Sequence, residues 1–508
     1  MLAPDYLDHA PDRLVMLWQQ AEDDILRDVA RRIGKMDALT PTANWQLWRY
    51  QQTEAVRKDM VKLLARYTGK SEAEIRRLMK EAATAALEAE DEIYYHYGKE
   101  PTPFEESTPL QNLLNAGYRQ TAGSFSNLTA TTANTVSGAF EQALDRAWLQ
   151  VSSGAFDYKT AVKRAVDGLA DSMPYVTYPS GHRDTLEVAC RRAVLTGVNQ
   201  TGAKLQEARM DEMGASFVEV TAHGGARPSH AVWQGRRYHR GGAVDYLGQH
   251  YEDFESATGY GTGAGLCGWN CRHTFFVVFP ELGSPPAWTQ ESLEALNARD
   301  IEYDGRLYTR YEISQMQRAW ERAVRKWKRR YLAEDAAGAD TTASTVKLRQ
   351  ARQSLAGFTR ATGGRVDSAR ISVHGFGRSE ASRASYVALK QERFNAANTE
   401  LQQMREAGTI KAKGRLIESP SAPNEINFAS DHVLQRWAER GMGPMDAERI
   451  IRSSKVAMSQ RNGTQTCYYS ELGFVAIGQD GNVSSIGPLD EGGKKLMEVV
   501  KKHGIPHS

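Results

Sequence analysis

Cysteine is scarce: the chain has four, Cys190, Cys267, Cys271 and Cys467, among 508 residues. That is too few for a disulfide framework in a chain of this length, and it suits a reducing compartment. Long apolar runs are missing too. No stretch of about 18 apolar residues occurs, so no membrane span and no membrane partner are expected. An excess of one charge is also absent. Lys and Arg total 64 against 62 for Asp and Glu, a net charge of +2. The chain as a whole therefore has no polyanion-binding signature, and any contact with nucleic acid must come from local patches. The start, Met1-Leu2-Ala3-Pro4-Asp5, lacks a basic region followed by an apolar one, so no signal peptide is expected. These absences predict a protein made and used in the cytoplasm, or carried in a particle assembled there.

What is present divides by periodicity. The length calls for about two to four domains. Residues 1 to about 98 read as helices. Ile25, Val29 and Ile33 share one helical face, Thr40-Pro41-Thr42 makes a helix start before Trp45, and Ser71-x-x-Glu74 is a capping-box pattern ahead of the stripe Ile75, Leu78, Met79 and Ala82. Pro101, Pro103 and Pro109 predict a loop or hinge. Helices resume to about residue 215. The Ser/Thr/Asn-rich patch Ser124 to Thr135 is expected to interrupt them or to begin a helix behind a weak cap, and Asp157 and Asp184 to start further helices.

From Thr221 to Pro280 the character changes. His223, His230, His239 and His250 precede a glycine-rich run, Gly259 to Gly268, and Cys267, Cys271 and His273 lie in it or just beyond. Glycine at this density lets the backbone turn through positive φ and approach other groups closely. Two apolar strands, Ser216 to Val220 and Thr274 to Phe279, bracket the run; bringing their ends together places His223 near Cys271 and His273. One reading is a structural zinc knuckle in which His223, His230, Cys267 and Cys271 complete a tetrahedral set. A second is a pair of buried thiols with histidines satisfied by backbone hydrogen bonds. A third makes His223, Arg227 and His230 a hydrolytic site, although no nucleophile or carboxylate accompanies them in the sequence.

Arg310 to Tyr331 reads as a strongly basic helix. Arg318, Arg322, Arg325, Lys326 and Arg329, interleaved with Trp320, Val324 and Trp327, form a candidate surface for phosphates. The alternative is a solvated helix whose tryptophans pack on a neighbour. Glu334 to Thr345 is expected to be a linker, Ala384 to Ala407 a helix, and Pro420 and Pro423 a boundary. Residues 424 to 508 read as a small α+β unit. Ser430-Asp431 starts a helix with His432, Arg436 and Arg440 on one face, and Asp446 starts a second. Three strands follow at Cys467-Tyr469, Phe474-Ile477 and Val483-Ile486, with Asp480-Gly481 as a hairpin turn and a closing helix from Lys494 to Lys502.

The pattern His223-x-x-Ala226-Arg227-Pro228-Ser229-His230-Ala231-x-Trp233-Gln234-Gly235, then Gly259-Tyr260-Gly261, then Leu266-Cys267-Gly268-Trp269-Asn270-Cys271-Arg272-His273, resembles the tailed-phage minor capsid protein 2 family, a relative of the phage head-morphogenesis (MuF-like) proteins. The resemblance runs back through Arg31-Arg32-Ile33 to Pro4-Asp5-Tyr6-Leu7 and forward to about Phe376. It implies a virion protein inside the head or at the portal vertex, acting in head assembly or in DNA packaging or ejection. Its implied partners are the portal protein, the major capsid protein or both, and packaged DNA. The resemblance also implies residence in the host cytoplasm during assembly. His432-x-x-x-Arg436-x-x-x-Arg440-Gly441 resembles the phage-encoded barnase/EndoU/colicin/RelE-like ribonucleases. That resemblance implies a metal-independent ribonuclease with an RNA substrate. His432 would be its general base or acid, Arg436 and Arg440 its phosphate holders, and Tyr469 with Ser484 or Ser485 its assistants. Against it stands a charged helix surface without catalysis, or one that binds packaged DNA.

The expected architecture is a mainly α N-terminal half, an α+β central domain with a Gly-rich His/Cys knuckle, and a small α+β C-terminal domain. The expected divisions are 1–215, a helical portal- or capsid-interaction region; 216–309, the knuckle; 310–423, a basic helical region and linker; and 424–508, the nuclease-like domain.

Overall fold

A computed structural model describes residues 1–35, 43–172, 175–178, 182–410, 413–417, 426–427, 437, 439–454 and 456–505. The chain forms two compact units, residues 1–380 and 381–508. Among the described residues no helix is long and apolar enough to cross a membrane.

The first unit opens with helices α1 (Pro4–His9), α2 (Asp12–Gly34), α3 (Ala43–His96), α4 (Thr108–Ser152) and α5 (Tyr158–Ser172). A short antiparallel hairpin, β1 (Tyr175–Thr177) with β2 (Arg183–Thr185), leads into α6 (Leu186–Met213). One core unites them. Trp18, Ile25, Val29 and Ile33 of α2 meet Met60, Leu64, Ile75 and Met79 of α3, Phe140 and Leu144 of α4, and Val194 and Val198 of α6. The face read from Ile25, Val29 and Ile33 is thus the buried one. Pro109 sits in the first turn of α4, where its missing N–H costs nothing.

Two local signals are overridden by packing. Ser71-x-x-Glu74 starts no helix, because α3 runs 54 residues straight through it. Ser71 is instead buried; its hydroxyl accepts from Trp18 Nε1 at 2.9 Å and donates to the Tyr67 carbonyl at 2.8 Å. The polar patch Ser124 to Thr135 does not break α4 either. Hydroxyls at its two ends bond back to the preceding turn, Ser124 to Gln120 O at 3.2 Å and Thr135 to Thr131 O at 2.9 Å, so the helix satisfies these two internally. Where α4 crosses α6, glycines let the backbones close up. A Cβ on Gly117 would lie 2.1 Å from Thr201 Oγ1, and one on Gly197 would lie 2.2 Å from Thr121 Oγ1.

The central segment contributes β3 (Phe217–Val220), α7 (Pro228–Ala231), β4 (Arg237–His239), β5 (Val244–Tyr246), β6 (Gln249–Tyr251), α8 (Phe254–Thr258) and β7 (Phe275–Val277). β3 lies between β4 and β7 in an antiparallel sheet, and β5 pairs with β6. The two strands read as brackets of the motif, β3 and β7, are therefore direct neighbours. After α9 (Gln290–Asn297) and the hairpin β8 (Ile301–Tyr303) with β9 (Arg306–Tyr308) come α10 (Arg310–Ala336) and α11 (Thr342–Ala361). Thr309 and Glu312 form a reciprocal capping box at the start of α10. The expected linker from Glu334 to Thr345 is instead a tight turn between these two helices. Its Glu334 is fully buried and accepts from Lys163 Nζ at 2.8 Å and from the Ser344 hydroxyl.

In the second unit, α12 (Arg378–Glu406) precedes β10 (Arg415–Ile417), the helix Pro444–Ser453, β11 (Val456–Gln460), β12 (Gln465–Ser470), β13 (Gly473–Gly478), β14 (Val483–Gly487) and the helix Glu491–Lys502. The five strands form one antiparallel sheet in sequence order. Phe394, Ala397 and Leu401 of α12 pack with Leu496 and Val499 on one face; Trp437, Ile450 and Ile451 cover the other. The division falls before this stretch of α12 because those three side chains belong to the sheet's core. Pro420 and Pro423, where the sequence suggests a boundary, lie outside the described residues, as does the helix start at Ser430-Asp431.

Candidate metal centre

Thr221 and Thr274 extend the pairing of β3 and β7, with Thr221 N–H donating to Thr274 O at 2.9 Å. That pairing fixes His223 just past the end of one strand and Cys271 and His273 just before the other. Pro228 opens α7, whose single turn carries His230 inward. The result is a buried trio, His230, Cys271 and His273, whose ligand atoms all lie within 4.8 Å of one another. Cys271 Sγ is 3.6 Å from His230 Nδ1 and 3.6 Å from His273 Nδ1. A tetrahedral zinc, with Zn–S near 2.3 Å and Zn–N near 2.05 Å, separates a sulfur from a nitrogen by about 3.6 Å. The two sulfur-to-nitrogen distances thus match zinc spacing.

The outer contacts set the tautomers. His230 Nε2 faces the Ala264 carbonyl at 2.9 Å, so it must carry the proton. Gln234 Oε1 accepts from the His223 backbone N–H at 3.1 Å, which orients its amide; the same oxygen then accepts from His273 Nε2 at 3.0 Å. Both rings therefore turn an unprotonated Nδ1 toward the sulfur, as ligation requires. Burial and the Arg272 guanidinium push His223 down to about 4, and burial holds His230 and His273 below the usual imidazole range. Burial raises the Cys271 thiol, so a metal would have to displace its proton. Asn199, reaching in from α6, donates to Cys271 O and His273 O, both at 3.0 Å, and pins the segment.

Of the four ligands proposed from sequence, His230 and Cys271 are brought together. His223 stacks on His273, ring centres 4.4 Å apart, and adjoins the trio. Cys267 is buried nearby in the left-handed region (φ 56°), and its Sγ turns to His273 O at 3.6 Å. His273 takes the place that spacing gave to Cys267. Gln234 stands within the sequence motif, whereas nothing in the sequence marks Asn199. The glycine loop is folded tightly on itself. A Cβ on Gly265 would fall 1.9 Å from Gly259 O, and Gly263 lies under the Trp269 indole.

The five cations proposed on α10 do not form one exposed stripe. Arg325 is buried against Glu187, and Arg329, half-buried, pairs with Glu22 and, at 2.9 Å, Asp23. Lys326 pairs with Asp171 at 3.0 Å, Arg322 is exposed, and Arg318 stands 4.0 Å from Asp8. In the second unit His432 and Arg436 lie outside the described residues. Arg440 donates from Nη1 to Ile486 O at 2.6 Å. Tyr469 is buried in the core formed with Leu496 and Val499, on the face away from Trp437, and burial raises its phenol. The Ser484 hydroxyl donates to Ala476 O at 3.1 Å and accepts from Gln465. Tyr469 packs beside Phe474, whereas the Arg440 guanidinium is held at the β14 backbone near Gly487.

The model of the family described as Phage minor capsid protein 2 matches residues 2–360. The structural protein of Lactococcus phage LL-H is 26% identical over 244 residues, 45% of this chain and 61% of that protein. The chain therefore spans less than two thirds of that relative's length. No solved structure matches.

Proposed function

Since the chain belongs to the phage minor capsid protein 2 family, we propose that this phage structural protein works inside the head or at the portal vertex, in head assembly or in DNA packaging and ejection. The observation that carries the reading is the extent of the family match. Residues 2–360 take in the helical core, the His/Cys centre and both α10 and α11. Long packed helices such as α3 and α4 offer extended faces to a portal or major capsid partner. Cross-linking of assembled proheads tests it. Links from the first unit to the portal or major capsid protein are expected; proheads in which the chain links to neither would overturn the placement.

Within this protein the His230, Cys271 and His273 trio is proposed to hold a structural zinc, with His223 the nearest further imidazole. The 3.6 Å sulfur-to-nitrogen spacings and the two Nε2–H outer contacts support that role. Zinc there would tie β3, α7 and β7 together.

A second reading makes the 381–508 unit a particle-associated ribonuclease. It is favoured by the helical spacing of His432, Arg436 and Arg440 and by a unit with its own two cores. Incubating the full chain and its His432→Ala variant with RNA tests it. Cleavage lost in the variant supports the reading, and undiminished cleavage removes His432 from it.

A further inference from the structure

The His/Cys trio forms one wall of a cavity of about 720 Å³. Four arginines line it as well: Arg192 from α6, Arg227 before α7, Arg272 between Cys271 and His273, and Arg318 from α10. Among the described residues no Asp or Glu lines it. The carboxylates that reach these arginines are shared with other groups. Asp184 holds Arg192 at 2.8 Å but also His182 at 3.0 Å. Asp8 lies 3.5 Å from Arg272 and 4.0 Å from Arg318, yet it also serves Arg370 at 3.3 Å. Arg227 donates to the Trp269 carbonyl at 2.7 Å. The chamber is therefore short of negative charge. Burial, with the nearby Arg370, outweighs Asp8 and holds Arg318 below the usual guanidinium value.

A second cavity of about 720 Å³ shares Tyr178, Arg192 and Trp269 with the first. Its wall otherwise mixes apolar side chains such as Leu128, Val176 and Ala189 with uncharged polar ones such as Gln120, Thr131 and Gln200. Trp269 is 59% exposed although it is a large aromatic ring, and it lies over Gly263 where the two chambers meet. A cationic chamber joined, through two aromatic rings, to one lined by uncharged side chains apart from the shared Arg192 is a pairing that suits a phosphate linked to a planar base.

We propose that this double cavity binds a nucleotide unit, its phosphate among Arg227, Arg272 and Arg318 and its base against Trp269 and Tyr178. Guanidinium forks match phosphate oxygens, and aromatic faces accept any base by stacking. A base paired in a duplex is closed inside its stack. The ligand is therefore a free nucleotide or a nucleotide within a single strand, which present the same chemistry. The inference needs no metal and does not rest on a place in the head, so its failure would leave the capsid reading untouched.

Calorimetry on the full chain tests it, with thymidine monophosphate, thymidine, inorganic phosphate and a ten-residue oligothymidylate as probes. Thymidine monophosphate should bind at least about tenfold more tightly than thymidine. Arg318→Gln and Arg227→Gln should each weaken it about tenfold, the usual loss for one charge-assisted hydrogen-bonding group. Arg322→Gln, on the same helix but outside the cavity, should not. Trp269→Ala should weaken the nucleotide and leave inorganic phosphate unaffected. Asp8→Asn, which frees Arg272 and Arg318, should tighten phosphate binding, a gain that misfolding cannot produce. Tighter binding of the oligonucleotide supports a strand as the source; equal binding supports a free nucleotide. Thymidine binding as well as its monophosphate, equal losses from Arg322→Gln and Arg318→Gln, or no binding of either nucleotide probe would overturn the proposal.

Discussion

Cys271 is the side chain on which the candidate metal centre turns, since both Nδ1 atoms face its sulfur at 3.6 Å. Protein purified without chelator is expected to carry about one zinc per chain by metal analysis. Cys271→Ser and His273→Ala should lose it, whereas Cys267→Ser should keep it. A Cys267→Ser variant without metal beside a His273→Ala variant with metal would restore the ligand set suggested by spacing. The sequence made the neighbourhood legible, because the histidines, cysteines and glycines crowd one segment between two strands. It could not show that Cys267, at positive φ, turns its thiol to a carbonyl while His273 turns inward. Asp8 gives a second test at this scale. Burial acts to raise its carboxyl, but Arg272, Arg370, Arg191 and Arg318 together outweigh that and hold it below the ordinary value of 3.8. A carboxyl lowered in the folded state contributes stability above the unfolded value, and that contribution is lost as pH falls through the folded one. Asp8→Asn should therefore lower the melting temperature at pH 7 and reduce its loss on acidification below about pH 4. An unchanged acid profile would count against the clamp.

At the scale of elements, α10 is the clearest case of a helix whose role depends on distant partners. Its Arg and Lys spacing is visible in sequence, but Glu22 and Asp23 of α2 and Glu187 of α6 are far away along the chain. Only the fold shows that Arg329 and Arg325 are occupied in buried ion pairs. Arg329→Ala leaves two buried carboxylates uncompensated and should cost about 3–5 kcal/mol in urea unfolding of the first unit. Arg322→Ala, exposed on the same helix, should stay within about 0.5 kcal/mol. Similar costs for the two would contradict the role of these ion pairs. The crossing of α4 and α6 gives a matching contrast. Gly197→Val meets Thr121 and should destabilise by about 1–3 kcal/mol, while Gly138→Ala, with open space at its Cβ, should gain up to about 1 kcal/mol. In the second unit β12, β13 and β14 were legible from alternation and the Asp480-Gly481 turn. β11 was not, since Val456, Ala457 and Met458 are all buried and give no period of two.

For the whole molecule, the family match ends at residue 360, within the first unit, and the 381–508 unit lies beyond it. The mainly helical N-terminal half, the α+β centre and the small α+β C-terminal unit follow the periodicities of the sequence. The point of division does not, because α12 reads as one helix while Phe394, Ala397 and Leu401 are committed to the C-terminal sheet. The proposed place of this chain is the phage head. Mass spectrometry of purified proheads and DNA-filled particles tests it most directly. The chain is expected in them, with peptides from both units. Its absence from proheads and filled particles alike would contradict the account.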